Sequence, residues 1–253
     1  MIRTLNARKT VYQESVLVDN YTDLSYTGDN KFLSPLGVIG ISTAMCTSRN
    51  GDFILVVGVN PDRIQKLNLS TPFDINTATF NTFETFDLTS FEGTPQEVNI
   101  SDDGLNVFFS GQSSDKLQRI ALPSYGDISN GVVTSDFIDY SVLQTPNNFD
   151  ISPDGTRIVM SSASSSRIQD HLLSIPFDLS TAVLQNDLTT FNFGNSPRYL
   201  QFLDNGNTIL FINSVADPLA TGLRQFDLLE PYSLNGLGVS TVPKHTGSLN
   251  DLF

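Results

Sequence analysis

The stretch Ile151-Ser152-Pro153-Asp154-Gly155-Thr156, followed by Pro176-Phe177-Asp178-Leu179-Ser180-Thr181-Ala182, decides how this chain is read, because both halves recur. The first half returns as Ser48-Arg49-Asn50-Gly51, Ser101-Asp102-Asp103-Gly104 and Leu203-Asp204-Asn205-Gly206, setting glycines at 51, 104, 155 and 206, at intervals of 53, 51 and 51. The second half returns as Pro72-Phe73-Asp74-Ile75-Asn76-Thr77-Ala78 and Gly126-Asp127-Ile128-Ser129. From turn glycine to marker aspartate the distance is 23 in all three pairs: Gly51 to Asp74, Gly104 to Asp127 and Gly155 to Asp178. A fixed period of this size is the signature of a repeat architecture.

Asn-Gly and Asp-Gly favour type I′ hairpin turns, in which both central residues take positive φ. Each is flanked by β-rich sequence such as Phe53-Ile54-Leu55-Val56-Val57 or Leu105-Asn106-Val107-Phe108-Phe109. A third marker, a glutamine in an apolar-rich strand, stands at Gln65, Gln118, Gln169 and Gln225, and Val11-Tyr12-Gln13-Glu14-Ser15-Val16-Leu17 supplies a further copy. Asp23-Leu24-Ser25 echoes Asp178-Leu179-Ser180 and lies 28 residues before Gly51, as Asp127 does before Gly155. In the last unit Ser233 takes the marker place, 27 residues after Gly206, so extra residues around Val215–Gly222 predict a protruding loop.

Units of about 51 residues, with short strands, tight turns and almost no helical periodicity, predict an all-β chain: a five-bladed β-propeller with four-stranded blades. A single domain would span 1–253, with blade 1 split between 1–37 and 247–253 and the others at approximately 38–90, 91–141, 142–193 and 194–246. On this reading the C-terminal strand closes the ring by pairing with the N-terminal blade, which removes open sheet edges. In the second unit, strands are expected near Gln96–Ser101, Asn106–Ser110, Lys116–Leu122 and Val132–Asp139. A β-sandwich with coincidental spacing is the alternative, and three markers keeping one period speak against it.

The segment Ile151–Thr156 with Pro176–Ala182 resembles a repeat of phage and marine-bacterial propeller proteins. The resemblance covers nearly the whole chain. It departs where Tyr125-Gly126 or Tyr232-Ser233 replaces the Phe-Asp or Trp-Asp pair. It implies a virion-associated scaffold and carries no catalytic residue with it, since these repeats define a framework and a fold does not fix a function.

Composition narrows the partners. Fourteen Lys+Arg against 27 Asp+Glu give a formal net charge of −13, which repels a phosphate backbone, so no nucleic-acid partner is expected. The start has no apolar core of signal-peptide length, and no stretch reaches the roughly 18 apolar residues of a membrane helix, so neither classical secretion nor membrane insertion is expected.

Candidate chemistry is sparse. The two histidines are His171, in Gln169-Asp170-His171-Leu172 where other repeats have Leu67 or Ile120, and His245 beside Lys244; strand packing and a loop position are their expected roles. The one cysteine, Cys46, falls in an inner strand with no adjacent group to lower its pKa. No Gly-x-Ser-x-Gly, Cys-x-x-Cys or His-Glu-x-x-His occurs, so no catalytic triad or zinc site is expected. Calcium is the one cofactor to weigh, because aspartates recur at Asp102, Asp103, Asp154 and Asp204 and in the marker series Asp23, Asp74, Asp127 and Asp178. Turn formation and capping explain both groups, and the ligand spacing of a calcium loop is absent, so no metal or other cofactor is assigned.

The inner strands offer a polar axial set: Glu97, Asn99, Asn147, Asn148, Asp150, Arg198, Gln201, Asn250 and Asp251. It could hold a cation or hydrate a tunnel. Arg63, Lys116 and Arg167, two of them preceded by Asp62 and Asp115, mark solvated hairpin tips or a charged contact ring. Phe80, Phe83, Phe86 and Phe91 could form an assembly patch or pack on the next blade, and sequons begin at Asn20, Asn68 and Asn99.

The resemblance implies a non-enzymatic structural or interaction protein: a phage tail, fibre-associated or capsid-decorating component, assembled in the host cytoplasm and contacting other virion proteins. A host-surface glycan- or receptor-binding propeller is the alternative, weakened by the absence of tryptophan. A metal-dependent hydrolase or lactonase is a third, and it needs a convergent acidic cluster at the axis.

Overall fold

The computed structural model describes residues 41–143, 146–189, 197–213, 222–237 and 245–247. These form four antiparallel four-stranded sheets, each built from strands consecutive in the chain. The first holds β1 (Ile41–Thr47), β2 (Phe53–Val59), β3 (Arg63–Leu69) and β4 (Ala78–Asp87). The second holds β5 (Pro95–Ile100), β6 (Asn106–Gly111), β7 (Lys116–Ala121) and β8 (Val132–Asp139), each within a residue of its expected place at both ends. The third holds β9 (Pro146–Ile151), β10 (Arg157–Ser162), β11 (Arg167–Leu173) and β12 (Ala182–Thr189). The fourth holds β13 (Pro197–Leu203), β14 (Thr208–Asn213), β15 (Gly222–Asp227) and β16 (His245–Gly247).

The sheets are propeller blades packed face to face. Inner strands contact one another in the series β1, β5, β9, β13, and no comparable contact returns from β13 to β1 among the described residues. The expected count of five is therefore not met: the described residues hold four blades, and no hydrogen-bonded ring closure is seen among them. The segments assigned to a fifth blade lie outside the described residues, as does 214–221, most of the loop expected to protrude. Gly247 is the exception and corrects a boundary. It pairs with Leu223 at the outer edge of the fourth sheet instead of opening an inner strand.

Strand alternation explains the cores. Phe53, Leu55, Val57 and Ile64 of the first blade meet Val98, Ile100, Val107, Phe109 and Ile120 of the second. The intervening Phe108 points the other way, with Leu117, toward Phe149, Ile158 and Met160 of the third. Val159 and Ile168 then face Leu200, Ile209 and Phe211 of the fourth. Central strands buried on both faces read as near-continuous apolar runs, and each large side chain contributes roughly 1.5–3 kcal/mol.

The marker residues hold the turns. Gly51, Gly104, Gly155 and Gly206 have φ of 71°, 67°, 70° and 82°, and a Cβ at Gly155 would stand 2.4 Å from the Phe177 ring. The turn type differs from the I′ expectation. In the first three, positive φ falls on the glycine alone, and its N–H bonds back to Ser48, Ser101 or Ser152, a type I turn followed by a left-handed glycine. The loops are two residues too long for a I′ connection: Ser48 N–H pairs with Phe53 C=O, leaving four residues between. In the fourth, Asp204 and Asn205 also take positive φ, 48° and 51°. Asp74, Asp127 and Asp178 cap short 3₁₀ turns through the N–H of Asn76, Asn130 and Ser180, and Ser233 does the same for Asn235 through its hydroxyl.

Candidate functional site

The polar inner-strand residues converge because alternate positions of β5, β9 and β13 leave one face of each strand, while Val98, Phe149 and Leu200 take the other into the cores. An innermost strand has one edge without a strand partner, and its N–H groups need acceptors. In the fourth blade these come from the third: Leu200 N–H donates to Asn148 Oδ1 and Phe202 N–H to Asp150 Oδ2, both at 2.9 Å. Asn148 Nδ2 donates back to Glu97 Oε2, and Asn99 Nδ2 to Asp150 Oδ1 at 3.2 Å. Asn148 and Asp150 thus each tie three blades together. In the second blade, where the preceding strand offers only Ala44 and Cys46 at the matching positions, Val98 and Ile100 N–H donate to the blade's own Glu97 and Asn99, at 3.1 and 2.8 Å.

Glu97 is enclosed by this network. Burial pushes its carboxyl up to about 8 and the Asp150 charge adds to the rise, while the donors from Val98 and Asn148 pull the other way. It is therefore largely neutral at pH 7. Both oxygens of Glu97 and both of Asp150 accept bonds from backbone or amide donors. No group of three or more His, Cys, Asp or Glu side chains that could hold a metal ion occurs among the described residues.

Other members of the axial set part company. Asn147 turns away and accepts from Ala163 N–H at 2.8 Å. Gln201 accepts from the Tyr199 hydroxyl at 3.2 Å, Arg198 is exposed, and Asn250 and Asp251 lie outside the described residues. The sequon at Asn99 points its amide into the network, and Asn68 donates to Glu84.

His171 is 6% exposed and meets Tyr140 edge to face at 5.8 Å, with no hydrogen-bond partner for its Nδ1. Burial lowers its pKa to about 4 against the pull of Asp170 and Asp187. Asp170 itself faces Arg157 at 3.6 Å and accepts from Leu234 N–H of the next blade. Cys46 is half-buried against the core between the first two blades. The hairpin-tip cations serve their own sheets: Arg167 pairs with Asp187 at 3.5 Å, and Lys116 lies 4.1 Å from the Phe137 ring centre. Phe86 packs on the first core while Phe91 is 40% exposed.

Sequence reasoning missed Glu92. It is 1% exposed and accepts from Thr94 N–H and Ser113 N–H at 2.9 Å and from the Ser114 hydroxyl at 2.6 Å. Burial pushes this carboxyl up, but the Ser114, Thr94 and Ser113 donors outweigh it and hold it below the usual range. A faint signal existed in Gly111, where a Cβ would stand 2.3 Å from the Glu92 carboxyl carbon.

No protein-family model matches the chain, and no curated protein matches it by sequence. Solved structures do resemble it in fold. A Lactobacillus plantarum protein superposes with a TM-score of 0.60 at 12% identity, over 82% of this chain and 56% of that one. The periplasmic gluconolactonase PpgL of Pseudomonas aeruginosa gives 0.51 at 14% identity, over 82% and 53%. Sqt1 of Chaetomium thermophilum, solved bound to the N-terminus of the ribosomal protein L10, gives 0.52 at 15% identity, over 83% and 49%. The chain spans about half the length of these structures. At such identities the likeness shows the fold alone: four described blades of a β-propeller, an architecture carried here by one lactonase and by one protein captured with a protein partner.

Proposed function

We propose that the chain is a non-catalytic propeller scaffold acting through protein contacts, a structural component of a phage particle. The observation that carries the scaffold reading is the axial network. Glu97 and Asp150, the acids best placed for chemistry, have all four oxygens engaged in fastening the edges of successive inner strands. The phage setting rests on the repeat resemblance of Ile151–Thr156 and Pro176–Ala182. A fifth blade from 1–37 and the C-terminal strand belongs to the same proposal. It is supported by Ile54, Val56, Leu67, Leu69 and Ala78, on the first-sheet face turned away from the second, which are all 6% exposed or less.

Two measurements test it. Fractionation of the native source should place the protein on a large particle, and its recovery only as a free monomer would overturn the scaffold reading. Assay of the purified chain on aldonolactones should give background hydrolysis; turnover that falls in Glu97→Gln or Asp150→Asn would put the axial acids to catalytic use and reverse the conclusion.

A further inference from the structure

The turn between β6 and β7, residues 112–115, is built to hold an anion. Ser113 and Ser114 present successive backbone N–H groups that donate to the Glu92 carboxylate at 2.9 and 3.1 Å. Thr94 N–H reaches the same carboxylate at 2.9 Å, and the hydroxyls of Ser114 and Thr94 add bonds at 2.6 and 3.3 Å. These donors are three main-chain N–H groups and two hydroxyls, none of them charged. Successive N–H groups of a turn form a concavity of partial positive charge, a nest suited to phosphate or carboxylate. Against the upward push of burial, the donors keep Glu92 ionised.

The space is shaped as well as polar. Gly111, the last residue of β6, leaves open the position that the carboxyl takes: a Cβ there would stand 2.3 Å from Glu92 Cδ and 2.6 Å from its Oε1. Gly111 is not among the residues of positive φ, so the carboxyl, not the backbone, is what asks for glycine. Thr94 and Ser113 are exposed, so the nest lies at the surface and Glu92 fills it from within the chain. Glu92 belongs to the crossover 88–94 from β4 to β5, whose Phe91 C=O also accepts from Gln118 Nε2 at 3.3 Å. The ligand is therefore tethered. It clips the chain leaving the first blade to a turn of the second, at the seam where the axis offers only Ala44 and Cys46.

We propose that Thr94, Gly111, Ser113 and Ser114 form a carboxylate-binding site whose resident ligand is the protein's own Glu92, and that an external small carboxylate occupies the site once the tethered one is removed. A ligand held on a short tether acts at a high effective concentration, so the intact chain should ignore such anions.

The test is rescue by an anion. The full chain and its variants are titrated with sodium formate at constant ionic strength, chloride making up the difference, and Tm is read by circular dichroism. Glu92→Ala removes the tethered ligand and should lower Tm by about 3–12 °C in chloride. Formate should restore at least half of that loss along a saturating curve. Glu92→Gln and Gly111→Ala should also lose stability, but an amide or a Cβ then fills the cradle, so formate should restore neither. The intact chain, and Phe177→Ala as a variant weakened in the third blade, should respond to formate and chloride alike. No formate-specific rise in Glu92→Ala, or an equal rise in Phe177→Ala, would overturn the proposal. Should Glu92→Ala fail to fold in chloride, its refolding yield decides: a higher yield in formate supports the site, and equal yields refute it.

Discussion

Gly155→Ala is the sharpest single perturbation of the repeat lock. Gly155 sits at φ 70°, a left-handed conformation that costs an L-residue about 1–2 kcal/mol. Its new Cβ would also stand 2.4 Å from Cε1 and 2.5 Å from Cδ1 of Phe177, too close for any real contact. The ring cannot simply move aside, because Phe177 N–H is bonded to Gly155 C=O at 2.9 Å and the ring lies against Phe108 of the second blade. Overpacking of this kind costs about 1–3 kcal/mol, so the sum is about 2–5 kcal/mol. For a chain of this size that lowers Tm by roughly 4–20 °C. The decisive assay is a double-mutant cycle by urea denaturation, with Gly155→Ala, Phe177→Ala and both together. Removing the ring abolishes the clash and leaves the backbone strain, so the two changes should couple by about 1–3 kcal/mol. A loss below about 0.5 kcal/mol for Gly155→Ala, or strict additivity, would refute the reasoning.

Two further predictions concern pH. Glu97 has its folded pKa raised to about 8 from 4.5, so the folded state holds the proton more tightly and stability falls as pH climbs from about 4.5 to 8; Glu97→Gln should flatten that limb, read by denaturation at several pH values. His171 has its folded pKa lowered to about 4 from 6.5, so stability is complete above 6.5 and falls as pH drops toward 4; His171→Leu, the residue type of Leu67 in the first blade, should remove this acid-side loss while leaving the alkaline limb in place.

Much of the blade pattern was legible because turn chemistry is local. A left-handed glycine and a capping aspartate 23 residues apart depend on neighbouring backbone alone, and they place β5–β8 to within a residue of where the second unit puts them. The turn type was not legible, because Asn-Gly suits both a two-residue I′ loop and the longer loop that Ser48 and Phe53 close. At the axis, the polar character of Glu97, Asn99, Asn148 and Asp150 could be read from strand alternation. Their engagement with neighbouring blades could not, since it depends on how one sheet is rotated against the next. Asn147 shows the limit: one residue from Asn148, it serves Ala163 on its own sheet. Glu92 was invisible for a similar reason, because its donors at Ser113 and Ser114 are brought to it by folding.

The axial bonds have a mechanical corollary. Side chains of β9 hold the backbone of β13 on one side and the side chains of β5 on the other, so the second, third and fourth blades should respond to strain as one stiff body. Between β1 and β5 the matching positions are Ala44 and Cys46, packed against an oily seam. The first two blades are fastened at their turns instead, where Arg49 meets Asp102 and the Tyr125 hydroxyl meets Asp52, so strain between them should be borne at that end of the wheel.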